Sequence, residues 1–280
     1  MVQIIADTVS SIPVPLAKSL GIPFLPQIVI FGDESFRDDS EMDTTLFLQK
    51  LRSSNQLPKT AAPPPELYHP IYKKLIAEKI PAIVIAPSAS LSGTVSRAEA
   101  AALDFPGADI RVVDTLTVAG GLGELVLIAD QFAKSGMDAD TLVAKIKKLA
   151  ARSRTYFLVD TLEYLQKGGR IGKAQALIGS ILQVKPILTL EEGKVTPAET
   201  QRTKKRALER LAEMVISECP HSDDAHLCIA HAEADAEVAV LKARFEKEMG
   251  IEEIHIYGLP PAILTHAGPG TMAISYIRAA

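Results

Sequence analysis

Three short β-rich runs, each leading to a polar residue and each followed by a longer helical pattern, leave this chain few folds to choose from. They span residues 2–6, ending at Asp7; 82–86, leading to Ser88; and 110–113, ending at Asp114. Runs this short without alternation fit strands buried on both faces, and parallel pairing of such strands requires helical crossovers. The first helix is expected after Ser10 or Ser11 as its cap, with Pro13 or Pro15 in its first turn and Gly21 past its end. Residues 24–31 read as a second strand. Asp43 caps a helix over residues 44–53, with Leu46, Phe47 and Leu51 on one face. Pro63-Pro64-Pro65 stiffens a loop, and its last member can open a helix through Leu67, Ile71 and Leu75. Residues 118–133 are apolar almost all round, which predicts a helix buried on most sides.

The 280 residues exceed what one core usually serves. A polar helix over about 138–152 leads to a fresh strand at 155–159, so the boundary is placed near Ser153. Residues 1–153 are expected to form an N-terminal three-layer α/β/α domain with a mostly parallel sheet. Residues 154–280 are expected to form a C-terminal two-layer α/β domain with a mixed sheet. Its pattern is less regular: helices at 161–167, 174–182 and 203–217, extended runs at 186–190, 226–231, 253–257 and 271–277, and a turn at Glu192-Gly193-Lys194.

A formal net charge of −4 gives no electrostatic reason to expect nucleic acid, and 5% aromatics with no Trp leave little for base stacking. No apolar run approaches the ~20 residues of a membrane span, and the first residues reach Asp7 without a basic stretch. Cys219 and Cys228 make neither a disulfide framework nor a zinc site; half-buried thiols in a reducing cytoplasm are expected. No metal or cofactor motif stands out.

Four distant segments each offer a hydroxyl, a cation or glycine-bared backbone. In Lys59-Thr60-Ala61-Ala62-Pro63, Thr60 precedes the stiff proline loop; it is either a carboxylate ligand or a solvated loop threonine. In Leu91-Ser92-Gly93-Thr94, Ser92 and Gly93 sit beyond a strand end, where open α/β sheets collect ligands, and before a helix N-terminus. Ser92 reads equally as that helix's N-cap. In Gly168-Gly169-Arg170-Ile171-Gly172, the glycines end a helix as a left-handed cap and hold Arg170 on a bent stretch, where phosphate would be its natural partner. The plain alternative is a C-cap followed by a surface arginine. Thr265-His266-Ala267-Gly268-Pro269-Gly270 places a histidine on a glycine-rich loop, able to donate to an oxyanion or relay a proton. The remaining histidines have no motif around them. Arg202-Thr203-Lys204-Lys205-Arg206 opens a helix with cations, against its dipole, and is either a solvated face or a dock for an acidic partner. A polar clamp over an oily interior describes a carrier of an acid with a hydrocarbon tail.

In order and content these segments resemble the DegV family, whose best-understood members are fatty-acid-binding subunits of bacterial fatty acid kinase. The likeness includes Asp7-Thr8, the segment from Phe31 to Asp38, Lys59-Thr60, Leu91-Ser92-Gly93-Thr94, Asp160-Thr161-Leu162-Glu163-Tyr164-Leu165, Gly168 to Gly172, Lys185-Pro186-Ile187-Leu188 and Thr265 to Gly270. The resemblance implies a long-chain fatty acid whose tail lies inside the N-terminal domain and whose carboxylate reaches the interdomain cleft at Thr60 and Ser92. It implies that Arg170 and His266 lie close by, and that an ATP-binding kinase subunit converts the acid to an acyl phosphate. The family usually carries Ser after the threonine where this chain has Ala61, so a hydroxyl is lost there, and the start of the serine loop is altered to Ser88-Ala89. Burying a sixteen-carbon tail offers on the order of 12 kcal/mol gross, much of it consumed by ordering and desolvation. Two rival readings are a hydrolase with Ser92 as nucleophile and His266 as base, and a lipid-responsive regulator docking a protein through Arg202. Ser92 lacks the Gly-x-Ser-x-Gly elbow of the first. The chain is expected to act in the cytoplasm, with no catalysis of its own and at most transient membrane contact.

Overall fold

The computed structural model describes residues 2–179 and 184–279. The chain opens with β1 (Gln3–Asp7), α1 (Val14–Leu20), β2 (Phe24–Leu25), β3 (Ile28–Phe31) and β4 (Glu34–Arg37). Next come α2 (Thr44–Ser53), β5 (Lys59–Ala61), α3 (Pro65–Ala77), β6 (Ala82–Ala86), α4 (Thr94–Leu103) and β7 (Ile110–Asp114). Two helices, α5 (Ala119–Lys134) and α6 (Ala139–Arg152), lead into β8 (Ser153–Leu158), α7 (Glu163–Lys167), β9 (Lys185–Glu191) and β10 (Lys194–Gln201). The chain closes with α8 (Lys204–Glu218), β11 (Cys228–His231), α9 (Asp235–Met249), β12 (His255–Gly258), α10 (Pro261–Ala267) and β13 (Met272–Ile277).

The first sheet is parallel, in the order β2-β1-β6-β7. Alternation along its strands builds the two outer layers. Ile4, Ala6, Ile83 and Ile85 face Leu122 and Leu125 of α5, whereas Ile5 and Val84 face Tyr68 and Tyr72 of α3 and Ala98 of α4. The result is a three-layer α/β/α stack. A mixed sheet follows, in the order β10-β9-β8-β13-β11-β12, with β11 and β12 parallel and the other pairs antiparallel. One face buries Tyr156, Ile187 and Ile274 under Leu211 of α8 and Phe245 of α9. The other face lies against α5 at β11 and β13. That approach needs Gly120, where a Cβ would stand 2.7 Å from the Cys228 Sγ. A small antiparallel sheet, β4-β3-β5, packs Val29 and Phe31 with Phe47 against Tyr257 and Leu264 of the second half.

Several expectations need correction. Residues 24–31 are two strands in different sheets: Pro26 has no N–H to donate, and Gln27 N–H leaves the ladder for Thr8 Oγ1 at 3.1 Å and Asp38 Oδ1 at 2.8 Å. Neither Ser10 nor Ser11 caps α1. Thr8–Ser10 is a 3-10 turn, Ser10 Oγ donates to the Asp7 carbonyl, and α1 starts after Pro13. Asp43 does cap α2, accepting from Leu46 N–H at 2.8 Å, but Leu48 is buried where Leu46 is exposed. The helix expected at 174–182 is a 3-10 stretch over Gly172–Leu177, and residues 180–182 lie outside the described residues. The strands β4, β5 and β10 and the helices α9 and α10 were not expected at all. In α9 the signal was present, because Val238, Leu241, Phe245 and Met249 recur at helical spacing. Both cysteines are fully buried rather than half-buried. No helix among the described residues is long and apolar enough to cross a membrane.

Candidate functional site

Between the two halves lies a cleft with about 920 Å³ of space free of protein atoms, open solvent at its mouth included. Its wall is mostly apolar. Phe157, Leu165, Leu190, Val195, Ile263 and Ala273 come from the second half, and Val9, Val118 and Ala119 from the first. The space is therefore a seam between the halves and not a bore inside residues 1–153, because the parallel sheet of the first half is filled on both faces by its own helices.

Polar groups gather where the four sequence segments meet. Thr60 is on a strand rather than in a loop: β5 pairs it with Val29 of β3. The period of two places Thr60 and Ala62 on the cavity wall and leaves Ala61 exposed. Replacing the family's Ser by Ala61 thus removes no hydroxyl from the cavity. His266 is on no loop either. It lies in the last turn of α10, and its Nε2 lies 2.8 Å from Thr60 Oγ1. Gly168 makes room for that ring, since a Cβ there would fall 2.3 Å from His266 Nδ1. Burial, helped by the Arg170 charge, pushes the imidazole down to about 4, so it is neutral at physiological pH. His266 Nδ1 is buried without a partner. An orphaned lone pair costs less than an orphaned N–H, which favours the tautomer with the proton on Nε2. Thr60 then accepts from His266 and keeps its own O–H for a ligand.

Gly169, with φ +72°, supplies the left-handed end of α7, and Gly168 remains right-handed. Arg170 reaches back across the seam, donating through Nε to the Leu91 carbonyl at 3.0 Å and through a terminal nitrogen to the Gly168 carbonyl at 2.7 Å. The rest of its five-donor fork takes no protein partner among the described residues and faces the cavity. Ser92 is not the cap of α4. Gly93 holds that position, Ser92 precedes it, and both line the cavity, so the N-terminal amides of α4 point there as well. Ser92 Oγ lies 3.0 Å from Thr94 Oγ1. Behind it stands a group the sequence reading left without a role. Asp7 Oδ2 accepts from Thr94 Oγ1 and from Gln27 Nε2, each at 2.7 Å, and its Oδ1 accepts from Val9 N–H. Burial pushes the Asp7 carboxyl up to about 7. Asp7 closes β1, at the carboxyl end of the strands where ligands collect, and that position was the available signal.

Two of the candidates lie elsewhere. Thr265 is buried with its hydroxyl donated to the Pro261 carbonyl at 3.0 Å, one turn back in α10, and does not line the cavity. Arg202 is exposed in the bend before α8, outside the cavity. Polar groups deeper in the wall are spent internally: Thr155 on Ser275 at 2.9 Å and Thr271 on the Gly268 carbonyl at 2.8 Å. Unspent polarity is thus confined to the Thr60, His266, Arg170 and Ser92 end. Among the described residues no cluster of three or more His, Cys, Asp or Glu is arranged to hold a metal ion.

Comparison with known proteins gives a consistent result. The family model described as "Uncharacterised protein, DegV family" matches residues 1–279. A DegV domain-containing protein of Streptomyces coelicolor is 34% identical over 275 residues, covering 98% of this chain and 97% of its own. Among solved structures, a fatty-acid-binding DegV family protein from Thermus thermophilus superposes with a TM-score of 0.91 at 32% identity, covering 99% of each chain. A fatty-acid-binding DegV family protein from Streptococcus agalactiae gives 0.90 at 26% identity, covering 100% of this chain and 99% of its own.

Proposed function

This chain belongs to the DegV family, and from that premise we propose that it binds a long-chain fatty acid in the seam between its halves and presents the carboxylate to an ATP-dependent kinase subunit. The observation that carries the reading is the division of the cavity: an apolar wall whose hydroxyls are internally spent, ending at Thr60 and Arg170, which have donors to spare, and at the Ser92 hydroxyl. The tail supplies affinity through the hydrophobic effect, and the hydroxyls fix which end faces out. In the transfer step a carboxylate oxygen bonds the γ-phosphorus of ATP as the bond to the β-phosphate bridging oxygen breaks and ADP leaves. Arg170, with free N–H groups at the mouth, is suited to the charge that develops on the phosphoryl oxygens. Such a carrier works in the cytoplasm and touches membranes only to load or unload. The division near Ser153 into units 1–153 and 154–280 belongs to this reading; it is supported by the start of the second sheet at β8. Arg202, exposed before α8, offers the kinase a cationic contact.

A hydrolase is less well supported. Ser92 bonds Thr94 and His266 bonds Thr60, so nucleophile and base are not paired. Purified protein from a bacterial host should release fatty acid on solvent extraction and show a matching mass increment in native mass spectrometry. Empty protein that also refuses added hexadecanoic acid would overturn the binding reading. Arg170→Ala, loaded with acid and offered a kinase subunit of the family, should lose acyl phosphate formation far more than acid affinity. Full transfer in that variant would remove the assigned role.

A further inference from the structure

The hydroxyl chain behind Ser92 has a direction, and counting donors and acceptors fixes it. Thr94 Oγ1 has one proton and two lone pairs, and three neighbours address it: Asp7 Oδ2 at 2.7 Å, Gln27 Nε2 at 3.1 Å and Ser92 Oγ at 3.0 Å. Gln27 Nε2 can only donate. With Asp7 ionised, Thr94 must give its proton to Asp7, and Ser92 must fill the second lone pair of Thr94. Ser92 then shows the cavity a lone pair. With Asp7 protonated, its O–H and the Gln27 amide fill both Thr94 lone pairs, so Thr94 donates to Ser92. The weaker Thr94 N–H contact at 3.3 Å takes the other Ser92 lone pair. Ser92 then turns its own O–H to the cavity. A carboxylate needs the second arrangement, because a lone pair facing an anion is repulsive.

We propose that Asp7 is a positioning residue that acts through Thr94 to make Ser92 a donor, so that binding of an anionic acid draws one proton from solvent onto Asp7. This rests on the fatty-acid reading of the cavity and deepens it. The surroundings leave Asp7 free to make that exchange. No cation faces it. From α3 comes Tyr68, whose phenol burial keeps neutral, and beyond β4 comes Asp38, hydrogen-bonded to Thr8 at 2.8 Å, whose carboxyl burial and the Asp7 charge likewise push up to about 7. The acidic groups of α5, which packs on β1, are engaged elsewhere: Glu124 with His255 and Tyr257, Asp130 with Lys134. His266 and Arg170 belong to the Thr60 side of the cavity. Burial already holds the Asp7 carboxyl near neutrality, so a nearby anion suffices to protonate it.

Calorimetric titration of delipidated full-length protein with dodecanoate at pH 8, in two buffers of different ionisation enthalpy, counts the protons taken up. Wild type should take up about one proton more than Asp7→Asn or Thr94→Val, and its affinity should fall about tenfold more steeply per pH unit above neutrality. A proton taken by His266 or by the acid itself enters all three proteins alike and cancels in the difference, and Asp38→Asn, measured beside them, should keep the excess proton, its loss there placing the proton on Asp38 instead and overturning the role of Asp7. Should either variant fail to fold, the other carries the test. Equal proton counts with binding retained would overturn the role of Asp7. Failure of wild type to bind dodecanoate at all would instead overturn the underlying reading, and the inference with it.

Discussion

His266 shows how one side chain can tie stability to pH. Folded, it is held neutral with a value of about 4; unfolded, it titrates at its ordinary value near 6.5. Its contribution is therefore whole above pH 6.5, declines as pH falls below that, and is exhausted near 4. Asp7 runs the other way. Its folded value of about 7 exceeds the ordinary 3.8, so its contribution is present below that ordinary value and is lost as pH rises through 7. The wild-type profile mixes the two, but the difference between wild type and His266→Gln isolates the histidine. Urea unfolding at several pH values should show that difference shrinking by up to roughly 3 kcal/mol between pH 6.5 and 4. A flat difference would mean that the ring is solvated. At this scale the sequence was informative about residue type and silent about partnership. Thr60, Ser92, Arg170 and His266 could be picked out by their local glycines and hydroxyls. The Thr60–His266 bond spans 206 positions, and no local pattern encodes it. Asp7 was visible only as a strand terminus.

Helix α5 was the most legible element, because Leu122, Leu125, Val126, Ile128 and Ala129 cover more than one face and all are buried. Leu122→Ala should cost about 2–5 kcal/mol, since the wall on both sides is rigid sheet and cannot collapse into the gap. Val240→Ala on α9, at a residue 69% exposed, should stay within about 0.5 kcal/mol. Denaturant midpoints of the two variants would check the contrast, and similar midpoints would contradict the placement of α5. The strands that escaped notice are short or far from their partners. β5 has three residues and finds its ladder on β3, some thirty positions earlier. Its side chains alternate across a sheet too small to leave a periodic signature. The break at Pro26 was readable in principle, since proline cannot continue a central ladder, but nothing local says that the two pieces join different sheets.

Across the whole molecule, hydrogen bonds tie the halves together at and near the cavity, among them Thr60 to His266, Arg170 to the Leu91 carbonyl, Thr117 Oγ1 to Thr155 Oγ1 at 3.3 Å, and Ser88 Oγ to the Gly193 carbonyl at 2.8 Å. A ligand held between the halves should stabilise them together. Dodecanoate at about a hundred times its dissociation constant should add ~2.7 kcal/mol and move a single calorimetric transition upward; two transitions of which one moves would argue that the halves melt separately. The division of the chain into a parallel and a mixed sheet followed from spacing alone. The location of the cavity did not, because a seam is defined by docking rather than by any one segment. Helix α5 has the widest consequence. It roofs one sheet and floors the other, so the two halves cannot be traded as cassettes. A chimera that took its first half from one relative and its second from another would inherit a helix cut to fit only one of its two neighbours, and recombination at Ser153 should fail unless the facing strands travel with it.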